Sequence, residues 1–335
     1  MEDEKFEFIP YMNENQDKWD DFVLNQSING TFLQTRNFLN YHPETRFLDA
    51  SILIYDHKKN LIAVCPGCEV LLDGKKTFYS HKGSTFGGII IDEKHYEAKY
   101  VLAMLEELRE YLIKCEYKHI LLKMTSDIFS KRESDLFQYA FQKAGFKEYK
   151  ELSTYIDFAN YKEDILSNFA QRKRRNVHNC IKAGLQVKVI TSKEDMQMFY
   201  QILCENLMKY DVKPVHTLEE LMDFKDNRLQ EECEFFGVFK ENKMIAGSMM
   251  FYFKNTNCAH TQYLAADAEY NKLSPMTYLY YSMIEEMKKR GYKKLSWGIA
   301  TEELGQVINM GLITSKEDYG SVYCNNLTYE WKCEN

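Results

Sequence analysis

Four consecutive cations, Arg172-Lys173-Arg174-Arg175, stand inside the stretch FAQRKRRNVHNCIKAG and are well suited to hold an anion. Read as a helix ending at Gly184, the stretch places Arg172 and Arg175 on one face with Asn179, while Val177 and Ile181 point elsewhere, toward a core. Guanidinium groups grip phosphate in a two-pronged fashion. The run therefore has two readings, a solvated helix face or a phosphate clamp. A second group lies in CAHTQYLAAD, where strand alternation puts His260 and Gln262 on one face and Tyr263 on the other, one of them lining a cleft. Beyond it, Asp267, Asn271, Ser274 and Pro275 break the strand, with Pro275 at the first position of a helix, where its missing N–H costs nothing. Leu279, Met283, Ile284 and Met287 recur at helical spacing, Gly291 closes the helix, and Lys294–Ile299 follows as a strand. A strand, helix and strand joined so directly predict a parallel pair, with the helix N-terminus at the strand's carboxyl end, where N–H groups favour an anion.

Other reactive residues read as structural. Cys65-Pro66-Gly67-Cys68 has the spacing of a redox or zinc pair, yet apolar strand residues flank it on both sides and no second pair stands at matching spacing. Nine cysteines without regular spacing read as reduced thiols, and no metal site is expected. His216 precedes a Thr217-x-x-Glu220 capping box, and packing or catalysis are both open to it. A net charge of −7 argues against a DNA-coating protein, though a local basic cluster can hold one phosphate group or one RNA end. No apolar run approaches the roughly 20 residues needed to span a bilayer, and the acidic start MEDEKFEF is no signal peptide, so a cytoplasmic protein is expected.

The elements that must position these residues come in two similar series. YDHKKNLIAV resembles FKENKMIAGS, SHKGSTFGG follows a strand as AHTQYLAAD does, and a long helix precedes both CEYKHILLKM and RGYKKLSWGI. In the first series the helix spans Glu97–Lys114, with Val101, Met104, Leu105, Leu108 and Leu112 facing inward. SHKGSTFGG is either an elaborate turn or a loop that approaches a ligand, its glycines permitting backbone shapes closed to other residues. In the second series, Lys193–Tyr210 reads as a helix. The chain is expected to be mixed α/β, with one fold occurring twice, over residues 1–159 and 160–335.

With these pieces in order, RKRRNVHNCIKAGLQV, IAGSMMFYF, AHTQYLAAD, KKLSWGI and NMGLITSKEDYG resemble the GNAT acyltransferase superfamily. They are more closely similar to its Fem branch of non-ribosomal peptidyl transferases, built from two GNAT-like domains. The resemblance covers most of residues 160–335 and is weaker before them. It implies two tandem domains, each a twisted, mostly antiparallel sheet with a splayed parallel pair and flanking helices. It also implies acyl transfer to an amine, from an aminoacyl-tRNA to a cell-wall precursor in Fem enzymes or from acyl-CoA in ordinary GNAT enzymes. By position in the family motif, Lys316 of SKEDYG becomes the oxyanion-stabilising cation, with His260 and Tyr263 as further catalytic candidates. Arg172, Arg175, Gln262, Trp297 and Tyr319 become candidates for binding a phosphate-bearing acceptor in a cleft between the repeats. Tyr319 stands where the family tolerates Phe, so its hydroxyl is expected to be dispensable. At the strand-to-helix turn, CoA-using enzymes carry Q/R-x-x-G-x-G/A. Here the corresponding donor-binding candidates Asn271, Lys272 and Ser274 sit in a turn with no glycine, where side chains and Pro275 obstruct close approach to a pyrophosphate. The expected cofactor is none held permanently; the acyl donor is a co-substrate, aminoacyl-tRNA or acyl-CoA.

Overall fold

The computed structural model describes residues 6–43, 45–209 and 211–333. The chain forms two compact units. The first takes the chain through Leu152 together with Thr301–Val307 and the run from Asn325, and the second comprises Ser153–Ala300 and Ile308–Cys324. Whereas sequence reading expects contiguous halves meeting near Asn160, the changeover falls inside a strand, Lys147–Asp157, and the chain's last strand returns to the first unit. Strand pairing joins residues far apart in sequence, so local pattern does not reveal this return.

In the first unit, β1 (Glu7–Pro10) pairs antiparallel with β2 (Ile52–Tyr55), and β2 with β3 (Leu61–Cys65). The DHKKN turn between β2 and β3 is closed by the Asp56 carboxylate, which accepts from the Lys58 and Asn60 N–H groups. The strand β4 (Cys68–Leu72) then runs beside β5 (Lys75–Ser80). The helix α1 (Ala98–Lys114) returns the chain to β6 (His119–Lys123), which lies parallel to β5 from Thr77↔His119 to Ser80↔Leu122. The five expected residues of α1 are its buried stripe. They pack with Ile120, Leu122 and Phe141, the last from α2 (Asp135–Lys143). Cys65 and Cys68 are both buried, which pushes the Cys68 thiol up to about 11, so this pair is structural.

In the second unit, β7 (Lys147–Asp157) contributes its second half. The basic helix α3 (Gln171–Lys182) leads to the edge strand β8 (Gln186–Val189) and to α4 (Lys193–Met208). Tyr210, the expected end of α4, lies outside the described residues, as do the first five residues. A short α5 (Leu218–Asp223), with its Thr217–Glu220 capping box, precedes the antiparallel strands β9 (Cys233–Lys240), β10 (Lys243–Phe253) and β11 (Cys258–Ala266). Next comes α6 (Pro275–Lys289), burying the expected Leu279, Met283, Ile284 and Met287, and then β12 (Lys294–Ile299). As predicted from the direct return, β11 and β12 are parallel, but only over Cys258↔Lys294, Ala259↔Leu295 and His260↔Ser296. Past that point β12 continues along β7, ending at Ile299↔Ser153, and the two parallel strands part.

Both units therefore repeat a strand, helix and parallel strand. In the second, α3 and α6 cover one face of the sheet, with Val177, Cys180, Leu279, Met283, Leu295 and Trp297 in one core. The helix α4 packs on the other face. Ala246 belongs to the α3–α6 core, whereas a side chain at its neighbour Gly247 would strike the Phe199 ring of α4 at 2.6 Å. The unit is completed by α7 (Met310–Glu317) and the start of β13 (Val322–Lys332), which from Thr328 onward runs antiparallel to β6 in the first unit.

Candidate functional site

Alternation along β11 is broken, and this decides which candidates meet. Tyr263 pairs with Met249 and Thr261 with Met250, so Gln262 is the extra residue of a β-bulge. Before the bulge, Ala259 faces the α3–α6 core; after it, Leu264 and Ala266 do. The core face thus changes from odd to even numbers, and the opposite face carries His260 before the bulge and Tyr263 after it. The expectation that His260 shares a face with Gln262, with Tyr263 opposed, is corrected by this one inserted residue.

His260 is buried where β11 and β12 part. Its Nδ1 lies 3.1 Å from the Ser296 hydroxyl, the residue opposite it in the parallel register. Burial first, and then the charge of Lys316, lower its pKa to about 3, so the imidazole is neutral at working pH. Lys316 arrives from α7, whose N-terminus is capped by the Asn309 side chain accepting from Leu312 N–H. The Lys316 side chain is 1% exposed, and its ammonium donates to the carbonyls of Gly298 at 2.9 Å and Ile299 at 3.1 Å. Burial lowers its pKa to about 8. A second bulge presents those carbonyls. Ser296 pairs with Tyr155 and Gly298 with Thr154, leaving Trp297 as the extra residue, and Gly298 turns with φ +74°. Gly298 also sits under the imidazole, where an added Cβ would stand 3.3 Å from His260 Cε1. Two of the three ammonium protons of Lys316 are thereby directed at carbonyls.

Tyr263 meets a histidine. Its hydroxyl lies 2.8 Å from Nδ1 of His216, which is buried against the edge of the Phe224 ring. Gln262, at the bulge, is half-buried. The structure thus brings Lys316 and His260 together, with Tyr263 on the same face of β11.

Trp297 and Tyr319 lie elsewhere. Both belong to the α3–α6 core: Trp297 donates its indole N–H to Ser321, and the Tyr319 ring stacks on Tyr280 at 4.7 Å. The Tyr319 hydroxyl donates to the Thr277 hydroxyl at 3.4 Å. These rings support the site from beneath, since their surfaces are taken up by packing.

Arg172 and Arg175 are exposed on α3 and line an open hollow of about 930 Å3 with Arg174, His178, Asn179 and Lys182. Ile181, expected in the core, is 51% exposed and borders the same hollow. The buried stripe runs through Val177 and Cys180, which turns Ile181 outward. Lys173 departs from its neighbours. Its ammonium lies 4.6 Å over the Tyr319 ring and donates to the Ser315 hydroxyl at 3.0 Å, tying the basic helix to the residue beside Lys316. Burial lowers its pKa.

At the strand-to-helix turn, residues Ala268–Leu273 form a 3-10 turn, and Ser274 adopts a left-handed conformation, φ +57°, before Pro275. Asn271 and Lys272 are exposed and Ser274 half-buried. The backbone here bonds to itself, Ser274 N–H to Asn271 and Thr277 N–H to Ser274, and the Cys180 thiol donates to the Leu273 carbonyl at 3.0 Å. Little of it is left to wrap a pyrophosphate.

Sequence reading missed Ser296, Lys173 and the link between His216 and Tyr263. The parallel register could have suggested Ser296, but the other two need tertiary contacts.

A model of the acetyltransferase (GNAT) domain matches residues 167–304. No curated protein matches the chain. Among solved structures, FemX is similar over 97% of each chain at 13% identity, with a TM-score of 0.68. A tandem GNAT protein from the clavulanic acid biosynthesis pathway is similar over 99% of each chain at 11% identity, TM-score 0.61. The L-PGS of Bacillus licheniformis is similar over 85% of each at 13% identity, TM-score 0.56. No helix among the described residues is long and apolar enough to cross a membrane.

Proposed function

From a chain with the two-domain, Fem-like GNAT fold and a GNAT domain over residues 167–304, we propose an N-acyltransferase that moves an acyl or aminoacyl group onto the amine of a phosphate-bearing acceptor, a cell-wall precursor being the leading candidate. The observation that carries this reading is Lys316, a buried cation at the parting of two parallel strands, held by two carbonyls beside a neutral histidine. A buried charge whose hydrogen bonds go to neutral carbonyls is costly to keep. Its place fits a task that appears only during reaction, stabilising the negative oxygen formed when an amine attacks an acyl carbon. The amine must arrive neutral; its nitrogen bonds to the carbonyl carbon, the oxyanion collapses, and the donor's oxygen or sulfur leaves with the amine's proton. His260, uncharged and fixed by Ser296, lines the reaction space without adding a second cation. The exposed Arg172 and Arg175 are the proposed hold on acceptor phosphates or on the phosphate-rich end of a tRNA donor.

Between donors, the glycine-free, self-bonded turn before α6 favours an aminoacyl ester of tRNA over CoA. The test is to supply aminoacyl-tRNA or acetyl-CoA to the protein with a UDP-linked muramyl peptide bearing a free amine, and to follow acylated product by mass. Transfer is expected, and Lys316→Ala should slow it about 100-fold or more. Wild-type protein that acylates nothing with either donor would sink the reading, and an undiminished Lys316→Ala would remove the lysine from it.

A further inference from the structure

We infer that His216 is the proton acceptor of this site and works through the Tyr263 hydroxyl. The inference rests on the acyl-transfer reading above and adds to it the group that takes the amine's proton.

The need for such a group follows from the chemistry. When the acceptor nitrogen bonds to the acyl carbon it must lose a proton, and the two candidates nearest the parted strands are poorly suited to receive it. Lys316 serves as a cation and has no free lone pair while it does so. His260 has a pKa lowered to about 3 by burial and by Lys316, so it holds a proton weakly. The Gln262 bulge supplies an alternative by placing Tyr263 on the same face of β11 as His260. A neutral phenol is a poor base by itself, but this one lies 2.8 Å from an imidazole nitrogen.

His216 is held for that contact. It is 3% exposed, its ring meets Phe224 edge to face with centroids 5.1 Å apart, and the capping box of α5 begins at the next residue. The backbone that carries it is therefore pinned by Thr217 accepting from Glu220 N–H and by the Glu220 carboxylate accepting from Thr217 N–H. A histidine recruited only for packing would not need its Nδ1 within hydrogen-bonding distance of a hydroxyl on the face of β11 that carries His260. As the carbon–nitrogen bond forms, the amine proton passes to the Tyr263 oxygen while the tyrosine's own proton passes to His216 Nδ1, giving an imidazolium. When the bond to the donor's oxygen or sulfur breaks, the proton returns by the same route to the leaving atom. No proton is gained or lost over the cycle. Tyr263 is the group that touches the substrate, and His216 acts through it.

The relay requires His216 to be neutral with Nδ1 bare and the hydrogen on Nε2. Nitrogen NMR of protein labelled in its histidines, with Tyr263→Phe used to assign the signal, reads that tautomer without any substrate. A hydrogen found on Nδ1 overturns the inference. In the transfer assay with the UDP-linked muramyl peptide, Tyr263→Phe and His216→Gln should each lower kcat about 100-fold with KM little changed, and the double variant should fall no further. Because His216→Gln keeps a polar side chain of similar reach, circular dichroism should show it folded. Imidazole added to His216→Ala should restore part of the lost rate, which a purely structural histidine would not permit. Wild-type kcat in His216→Gln sinks the relay alone, whereas inactivity of the wild type sinks the acyl-transfer reading on which it stands.

Discussion

Lys316 holds its charge at a cost, and the cost has a pH signature. Its folded pKa of about 8 lies below the ordinary 10.5, so between those values the unfolded chain binds a proton that the folded chain does not. Stability should therefore rise as pH goes from 8 toward 10.5, and the burden below pH 8 is on the order of 3 kcal/mol. Lys316→Met should remove that slope, and near pH 7 the variant should melt no lower than the wild type while losing turnover, a trade between stability and activity. Thermal unfolding across this pH range checks it, and a variant that melts well below wild type would mean the two carbonyl bonds outweigh the buried charge. His260 gives the opposite limb. With a folded pKa near 3 against 6.5 unfolded, it resists the proton that the unfolded chain accepts, so stability falls as pH drops from 6.5 to 3. His260→Gln should flatten that acid limb, read by urea unfolding at pH 4 and pH 7. The residue types at these positions were legible from sequence; their pKa values were not, because burial is set by the packing of β11, β12 and α7 around them.

At the scale of elements, the stripes of α1 and α6 could be read residue by residue, because helical spacing is a local property. Ile181 shows the limit. Either Cys180 or Ile181 can follow Val177 inward at helical spacing, and only the packing of α3 on α6 chooses Cys180. The bulge at Gln262 was invisible for a related reason, since a bulge exists only relative to the strand opposite. It makes a sharp prediction. Deleting Gln262 removes the unpaired residue and leaves Thr261 on the core face and Tyr263 opposite it, so the pairing with β10 and the face of Tyr263 are both kept while the local twist of the bulge is lost. The deletion should therefore leave the fold intact in chemical unfolding and lower transfer only by re-aiming the Tyr263 hydroxyl relative to His216. Gln262→Ala, which keeps the bulge, should leave both unfolding and transfer unchanged. The basic helix has its own test. Arg172→Ala with Arg175→Ala should weaken binding of a UDP-linked peptide about 10-fold and make its salt dependence shallower, while the melting temperature stays put because both side chains are exposed. Unchanged binding would return α3 to the role of a solvated face.

Across the whole molecule, the repeated strand–helix–strand series could be recognised from sequence, but not the fact that its two copies treat the gap beyond the parallel strands differently. In the second unit, β11 and β12 part after His260 and Ser296. In the first, the chain's own SHKGSTFGG segment lies against the ends of the parallel pair. Gly87 N–H donates to the Lys123 carbonyl at the end of β6, and Gly88 N–H donates to the Ser80 hydroxyl at the end of β5. The fit is close enough to require glycine. A Cβ on Gly87 would lie 2.7 Å from the Ser80 backbone, and one on Gly88, with φ +73°, would lie 2.6 Å from the Met124 sulfur. The Gln34 side chain fixes the segment from behind, donating to the Gly87 carbonyl. Of the two readings open to that loop, the glycines serve contact with the chain itself. The donor should therefore bind once per chain, although the fold occurs twice. Calorimetric titration with a non-hydrolysable aminoacyl-tRNA analogue should give a stoichiometry near one, and substitutions around Lys316 should abolish it. Gly87→Val should lower the melting temperature without creating a second site, because the side chain would force the segment off Ser80 rather than shape a pocket. Two equivalent sites in the wild type would show that the first unit opens to admit a ligand.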